Sequence, residues 1–346
     1  MTFPIEPPIE PMLAALEPEI PAGAGWRYEP KWDGFRSVIF RDGAAVHLAS
    51  RNRLPLERYF PEVVETCLRA LPTRCVVDAE IVIEGETGLA FDALQLRLHP
   101  AESRIRKLSI EIPATVVAFD LLALDDDVRA RPLAERRALL ERHVSPIEEL
   151  FLTPQTSDVA LAREWFNRFE GAGLDGVIAK RAEQPYVERK RLWVKVKHQR
   201  TADCVVVGYR LGKDKRSLGS LLLGLYDEEG TLHHVGFTAA FSASARPKIH
   251  EAVRPFETGE TVEEGPRGSS RWSAGKDQSW IPLRPELVCE VHFDHFQGDR
   301  FRHGAHFLRW RPDKDAAECT YAQFEPPAPF SLAEIRALSA SETAEG

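Results

Sequence analysis

Lys31 lies in a segment, EPKWDGFR at residues 29–36, whose residue types suit the attack of a lysine on a phosphate. Asp33 and Gly34 form a tight turn that lets the backbone approach a ligand, and Arg36 can bind a phosphate through two nitrogen atoms. An attacking lysine must first lose its proton, and we expect nearby positive charge or burial to lower the pKa of Lys31. Taken alone, so short a motif also occurs by chance.

Further segments along the chain carry polar residues suited to the same chemistry. DAEIVI places an acid, Glu80, within a β-rich run, and WVKVK puts Lys195 and Lys197 on one face of a strand. A turn or a solvent-facing strand position explains each acid alone, and an amphipathic strand explains the lysine pair. Their occurrence together, with Asp175 and Lys180 in DGVIAK, favours one shared site.

The charge of the chain is acidic overall but basic in one region. The 346 residues have a formal net charge of -8, which argues against a protein that coats nucleic acid. Residues 180–200 nevertheless contain eight lysines and arginines and two glutamates, an excess of six positive charges. Such a run is most often a solvated face, and a local contact with nucleic acid is the functional alternative.

The sequence predicts no membrane span, disulfide framework or zinc site. Apolar runs fall short of the roughly 20 residues that cross a bilayer, and residues 1–13 lack the features of a signal peptide, so we expect a cytoplasmic protein. The five cysteines are odd in number and far apart, which predicts buried free thiols. The pairs His292/His295 and His303/His306 match no known zinc spacing and suit packed strand positions.

Residues 1–200 mix short strands with a few helices, which predicts an α+β domain. FRSVIF and AAVHLAS form a predicted hairpin turned by Asp42-Gly43. Helices are predicted at 132–143 and 158–170, where the apolar pattern ends at glycines.

The pattern changes after residue 200 to short strands with tight turns and one helix near 244–253. This pattern is typical of a small closed barrel of the oligonucleotide-binding (OB) type and predicts a second domain at 201–328. Residues 329–346 are predicted to be a C-terminal tail, and we expect its last residues to be disordered.

The ordered motifs KWDGFR, SRN, DAEIVI, AFDLLAL, DGVIAK, WVKVK and RWRPDK resemble those of the ATP-dependent DNA ligases, within the covalent lysyl nucleotidyltransferases. The segments EPPIEPML, GAGLDGVIAKR and FLRWRPDK are similar to the bacterial ligase C clade in particular. The ordered motifs run from Glu29 to Lys314, and the resemblance covers nearly the whole chain except the tail. It implies a nucleotidyltransferase (adenylation) domain of antiparallel sheets with helices, similar to ATP-grasp folds, followed by an OB-fold barrel.

The same resemblance implies the activity and its reactants. ATP would react with Lys31 to give a lysyl-AMP intermediate, and the AMP would pass to a nick in double-stranded DNA, in DNA repair. A divalent metal, Mg²⁺ or Mn²⁺, would take part, and the enzyme would act as a monomer.

The resemblance also implies roles for individual residues. Lys195 and Lys197 would contact the α-phosphate, and Glu80 and Asp175 would lie beside it as ribose contact or metal ligands. The wider family more often has Glu-Gly where this chain has Asp175-Gly176. The remaining residues implied to bind ATP are Glu29 and Phe119 at the adenine, Arg36 and Arg51 at the ribose and phosphates, Lys180, and Arg311, Asp313 and Lys314 at the pyrophosphate.

Two alternatives share part of this pattern. A guanylyltransferase or RNA ligase would use the same lysine, but would prefer GTP or an RNA end. A DNA-end-binding scaffold that kept the fold without the chemistry would bind nicked DNA and form no adduct.

Overall fold

The computed structural model describes residues 3–86, 88–198, 200–263, 279–324 and 330–342. The chain divides into two compact units. The first combines Met1–Lys197 with Pro326–Gly346, and the second is His198–Glu325. The second unit is therefore inserted in the sequence between two segments of the first.

The first unit is built on two main sheets. Its strands are β1 (Leu13–Leu16), β2 (Trp26–Pro30), β3 (Phe35–Asp42), β4 (Ala45–Ser50), β5 (Arg74–Val82), β6 (Glu84–Gly85), β7 (Gly88–Leu89), β8 (Thr115–Leu124), β9 (Asp126–Asp127), β10 (Leu150–Leu152), β11 (Gly176–Arg181) and β12 (Arg191–Lys197). One sheet has the order β1-β12-β11-β2, and the other has the order β10-β8-β5-β3-β4, with β9 paired to β8. The β1/β12 and β10/β8 pairs are parallel, and the other pairs in these sheets are antiparallel.

The described part of the first segment of this unit contains five helices: α1 (Pro61–Ala70), α2 (Phe91–Arg97), α3 (Glu102–Glu111), α4 (Leu133–His143) and α5 (Val159–Arg168). The predicted helices at 132–143 and 158–170 are confirmed as α4 and α5, and the side chain of Asp158 caps α5 by accepting from the amide of Ala160. The predicted hairpin is confirmed as β3 and β4. Helices α1 to α3 were not predicted.

Two acids inside buried strands are paired with arginines. Asp78 of β5 accepts from Arg36 at 3.0 and 2.6 Å, and Asp120 of β8 accepts from Arg136 at 2.8 Å through both carboxylate oxygens. Burial of a carboxylate is tolerated only when it is paired and hydrogen-bonded. These pairs explain the acids that interrupt the apolar strand patterns.

The second unit is a small barrel with one helix, α6 (Ala245–Val253). Its strands are β13 (Arg200–Leu211), β14 (Leu218–Tyr226), β15 (Leu232–Thr238), β16 (Ile281–Pro282), β17 (Val288–Phe293), β18 (Phe296–Gln297), β19 (Arg300–Phe301) and β20 (His306–Trp310). The main sheet has the order β15-β14-β13-β17-β20. A parallel bridge between Thr238 and Ala305 joins its two ends. This closed five-strand order confirms the predicted OB fold.

The predicted tail contains a helix, α7 (Leu332–Glu342), which packs on the first unit. Ile335 is fully buried and Leu332 is 7% exposed. The predicted disorder concerns the last residues of the chain, and 343–346 lie outside the described residues.

Cysteines and histidines were considered as metal ligands in the sequence. All five cysteines are free and buried, as predicted. His292 and His306 are paired on β17 and β20, whereas His295 and His303 lie between strands, so the strand prediction is wrong for these two. Over the described parts of the chain, no helix is long and apolar enough to cross a membrane.

Candidate active site

Lys31 follows β2 and is fixed by backbone hydrogen bonds to the residues that lead into β11. Its amide donates to the carbonyl of Gly176 at 2.8 Å, and the amide of Asp175 donates to its carbonyl at 3.1 Å. Gly176 has a φ of +138°, and a Cβ there would lie 2.0 Å from the carbonyl oxygen of Val196. Only glycine therefore allows the close approach of β11 and β12 at this point.

Asp175 brings two lysines together. Its Oδ2 lies 2.7 Å from the Nζ of Lys31 and 2.9 Å from the Nζ of Lys197, which is paired with Gly176 across the β11/β12 ladder. The carboxylate is 4% exposed, and the two lysines are 17% and 20% exposed. Three elements that are far apart in the sequence thus form one group of charges.

The charge around Lys31 differs from the sequence expectation. Burial lowers the pKa of Lys31, but the carboxylates of Asp175, Asp33 and Glu80 outweigh it and raise the pKa above its usual value. The expectation of a lowered pKa is therefore wrong for this structure, because the neighbours of the amine are mainly acids. A lowered pKa is found instead for Lys195. Burial is its largest cause, and neighbouring cations are the next largest.

Glu80 lies on β5 beside the turn that follows Lys31. Its Oε1 accepts from the amide of Gly34 at 3.1 Å, and a Cβ at Gly34 would lie 2.2 Å from the carbonyl oxygen of Ile81. Burial raises the pKa of Glu80 to about 8, although the charges of Lys31 and Arg36 oppose this shift. A carboxyl group whose pKa is shifted this far toward neutral pH is typical of functional sites.

A second group of contacts surrounds Lys180. Its Nζ lies 2.6 Å from Oε2 of Glu29 and sits over the rings of Phe119 and Trp193, at 4.7 and 4.4 Å from their centroids. Gln155 donates to the other oxygen of Glu29 at 2.7 Å. This wall of aromatic rings with a buried ion pair suits a flat heterocycle with polar edges.

Arg36 lies against the same aromatic rings. Besides its two bonds to Asp78, it donates to the carbonyl of Met12 at 2.6 Å, and its guanidinium lies 5.0 Å from the centroid of Trp193. Tyr186 donates to Asp78 at 2.7 Å. The supporting residues Asp78, Gln155, Tyr186 and Trp193 were not predicted; of these, Asp78 was visible in the sequence as an acid in an apolar strand.

Arg51 is the most exposed of the predicted site residues in the first unit. It follows β4, and its charge contributes to the lowered pKa of Lys195. It also lines a pocket of about 340 Å³ with two other arginines, Arg53 and Arg189, both of which pair with Glu10. The other lining residues are Glu10 itself, Pro11, Leu13 and Asn52.

The predicted residues of the second unit form a cluster of their own. Asp203 of β13 accepts from Arg311 at 2.9 and 3.0 Å and from Lys314 at 3.0 Å. Arg311 also binds Asp313, with Nη2 at 2.9 Å from Oδ2. Asp203 was not predicted, and it holds both cations in a fixed arrangement on the barrel.

The acids near Lys31 are suited to bind a metal ion that is also bound to the phosphates of a ligand. Among the described residues, no three His, Cys, Asp or Glu side chains are clustered as metal ligands. Glu80 and Asp175 supply two carboxylates, and Mg²⁺ is commonly held by one or two carboxylates together with phosphates and water. An amine, two further lysines and two carboxylates are the groups that nucleotidyl transfer requires.

Comparison with known proteins covers nearly the whole chain. Residues 11–197 match the model of the ATP dependent DNA ligase domain, and residues 214–314 match that of the ATP dependent DNA ligase C terminal region. DNA ligase C2 of Mycolicibacterium smegmatis is 51% identical, over 94% of this chain and 97% of that protein. DNA ligase C of Mycobacterium tuberculosis is 50% identical, over 97% of this chain and 99% of that protein. A solved Lig E DNA ligase shares the fold, with a TM-score of 0.56 at 17% identity over 87% of this chain and 99% of its own.

Proposed function

The chain belongs to the ATP-dependent DNA ligases, of the bacterial ligase C clade, and we propose that Lys31 is the residue that carries AMP in its reaction. The enzyme uses ATP and seals nicks in duplex DNA, in DNA repair. The observation that carries the assignment of Lys31 is its position between backbone anchors at residues 175–176, with Lys197 and Asp175 at its amine.

In the first step, Nζ of Lys31 attacks the α-phosphorus of ATP. A nitrogen–phosphorus bond forms, and the bond from phosphorus to the pyrophosphate oxygen breaks. Asp175 is the nearest acceptor for the ammonium proton, at 2.7 Å. Lys195 and Lys197 neutralise the charge that develops on the α-phosphate oxygens, which is the main requirement in phosphoryl transfer.

Glu80 and Asp175 would hold the divalent metal, Mg²⁺ or Mn²⁺, together with the phosphates of ATP. A bound metal supplies positive charge to the phosphate oxygens. Because the pKa of Glu80 is raised to about 8, its carboxylate form becomes available as the pH rises toward that value.

The nucleoside of ATP would lie at the aromatic wall beside Lys180. Phe119 offers a ring for stacking, and Glu29, held by Lys180 and Gln155, offers a carboxylate to the amino edge of adenine. Arg36 and Arg51 would contact the ribose and phosphates. Arg311 and Lys314, aligned by Asp203 and Asp313, would orient the pyrophosphate.

In the two later steps AMP passes to the DNA and leaves. The 5′-phosphate at the nick attacks the phosphorus of lysyl-AMP, which releases Lys31 and gives a DNA-adenylate. The 3′-hydroxyl then attacks the 5′-phosphate and AMP departs. The same cations serve both steps, because charge again develops on phosphate oxygens.

The exposed basic residues of the first unit would bind the duplex next to the nick. Arg189, Lys190 and Arg191 are exposed, and Arg51 and Arg53 are exposed beside them at the shared pocket. Because the chain is acidic overall, this group of exposed arginines and lysines favours a local contact with DNA. We further propose a monomeric enzyme that acts in the cytoplasm.

The test is the intact mass of purified wild type and Lys31→Ala after incubation with ATP and Mg²⁺, with and without nicked duplex. Wild type alone should gain the mass of AMP and lose it when the nick is added. A gain in Lys31→Ala would move the nucleophile elsewhere. A GMP adduct formed from GTP in preference to ATP would favour the guanylyltransferase alternative, and nick binding with no adduct would favour the scaffold.

A further inference from the structure

We propose that the C-terminal helix α7 positions the catalytic residues of the first unit. This inference rests on the proposed role of Lys31. The chain reaches α7 only after the whole barrel, yet residues 326–346 belong to the first unit. The helix also lies outside both segments that match the ligase families, 11–197 and 214–314, so the family match assigns it no role.

The buried side of α7 completes a hydrophobic cluster directly behind the site. Leu332 and Ile335 pack in one cluster with Trp32, Val82 and Leu174. Each of these three is a close chain neighbour of a proposed catalytic group. Trp32 follows Lys31, Val82 lies two residues after Glu80, and Leu174 precedes Asp175.

Trp32 connects the helix to the nucleophile. It is 7% exposed, donates through Nε1 to Oγ1 of Thr153 at 2.9 Å, and meets the ring of Phe151 with centroids 5.5 Å apart. The guanidinium of Arg336, on α7, lies over the same Phe151 ring, 5.1 Å from its centroid. Arg336 also pairs with Glu84. Movement of the helix is thereby coupled to Trp32 through packed side chains.

The start of the helix is also anchored to this unit. The ring of Phe330 lies 5.2 Å from that of Phe169, and the guanidinium of Arg168 lies 4.8 Å from the centroid of Phe330. Protein interiors are close-packed, so loss of Leu332 and Ile335 leaves a gap that neighbouring side chains partly fill. Trp32 and Leu174 are the neighbours whose shifts would move Lys31 relative to Asp175.

The nucleoside region belongs to a different cluster. Phe119 and Trp193 pack with Val38, Phe40 and Tyr186, and none of the α7 side chains that the structure describes belongs to that cluster. A disturbance of α7 should therefore slow the attack of Lys31 while leaving ATP affinity nearly unchanged. A purely structural helix would instead change the folded fraction and nothing else.

The experiment compares full-length wild type with the double variant Leu332→Ala/Ile335→Ala in single-turnover formation of lysyl-AMP over a range of ATP concentrations. Rates are expressed per folded molecule, below the melting temperature of every variant. We expect the maximal rate to fall by about tenfold or more, since small misplacement of reacting groups is costly, and half-saturating ATP to change less than about threefold. Ile335→Leu should restore most of the rate.

Leu140→Ala is the matched control, because Leu140 is fully buried in another core cluster of the same unit. It should lower the melting temperature and leave the maximal rate per folded molecule unchanged. An equal effect of both variants, or a wild-type rate in the double variant, would overturn the proposal. If the double variant does not fold, Leu332→Ala alone is judged by the same criteria, since Leu332 lies at the edge of the cluster. Absence of an adduct in wild type would instead refute the proposed function, and this inference with it.

Discussion

The Nζ atom of Lys31 lies 2.7 Å from Oδ2 of Asp175, and this ion pair keeps the proposed nucleophile protonated. The same carboxylate also binds Lys197 and is a proposed metal ligand. A divalent metal that arrives with ATP and binds Asp175 would therefore weaken the attraction between this carboxylate and the protonated amine of Lys31. The amine would become reactive when substrate is present, which would protect it from other electrophiles.

The rate of lysyl-AMP formation at low ATP should rise with pH between about pH 6 and 8. Lys31 has a raised pKa, and the pKa of Glu80 is about 8, so both groups lose protons as the pH rises through and above this range. The profile is measured from single-turnover rates at subsaturating ATP, which report on the free enzyme. A rate that is flat or falls over this range would contradict the assignment of Glu80.

Glu80→Gln should stabilise the protein at alkaline pH while reducing its activity. The pKa of Glu80 in the folded chain, about 8, lies above its ordinary value of 4.5, so the folded state holds this proton between those pH values. The contribution of Glu80 to the free energy of unfolding is therefore fully present below about pH 4.5 and is lost as the pH rises through 8. Glutamine does not ionise. The melting temperature of the Glu80→Gln variant should exceed that of wild type by about 2–5 °C at alkaline pH and should match it near pH 5.

Local signals made part of the fold predictable. The β3/β4 hairpin follows from Asp42-Gly43 between two apolar runs, and the alternation around Lys195 and Lys197 follows from strand periodicity. The barrel followed from the spacing of short strands and turns. Each of these signals is contained within a short stretch of sequence.

The supporting contacts of the site were not predictable, because they join distant residues. Tyr186 binds Asp78 across 108 positions, and Asp203 binds Arg311 across 108 positions. The protonation of Lys31 likewise depends on which acids the fold places next to it. Helix α7 was missed because its Ala-, Ser- and Glu-rich composition is typical of a tail, whereas its burial depends on the packing of Leu332 and Ile335 against distant residues.

Asp203→Asn should slow the first chemical step more than the last. Asp203 is the acceptor for both Arg311 and Lys314, and its loss removes the side chain that holds these two cations together, leaving Arg311 paired with Asp313. We expect lysyl-AMP formation to slow by about tenfold, whereas enzyme that already carries AMP should seal nicks at close to the wild-type rate. The two steps are separated by supplying ATP or preformed lysyl-AMP enzyme.

Asp227→Asn is the control for Asp203→Asn, since Asp227 pairs with His233 at 2.6 Å elsewhere on the barrel. It should leave both steps unchanged. Equal slowing of both steps by Asp203→Asn would indicate general damage to the barrel instead of a role in pyrophosphate alignment.

Glu10→Gln and Arg189→Ala should change DNA affinity in opposite directions. Glu10 pairs with Arg53 at 3.1 Å and with Arg189 at 2.5 Å beside the pocket that Arg51 also lines. Loss of Arg189 removes a cation from the proposed DNA surface, whereas Glu10→Gln removes an acid that competes with phosphate for two arginines. In titrations of nicked duplex over a range of salt concentrations, we expect Arg189→Ala to weaken binding by about threefold and to reduce the salt slope by about one. Glu10→Gln should tighten binding at low salt.

Neither change should affect lysyl-AMP formation, which needs no DNA, and Lys107→Ala on α3 should alter none of these quantities. Tighter binding by Arg189→Ala, or weaker binding by Glu10→Gln in a protein of unchanged melting temperature, would show that the DNA runs elsewhere.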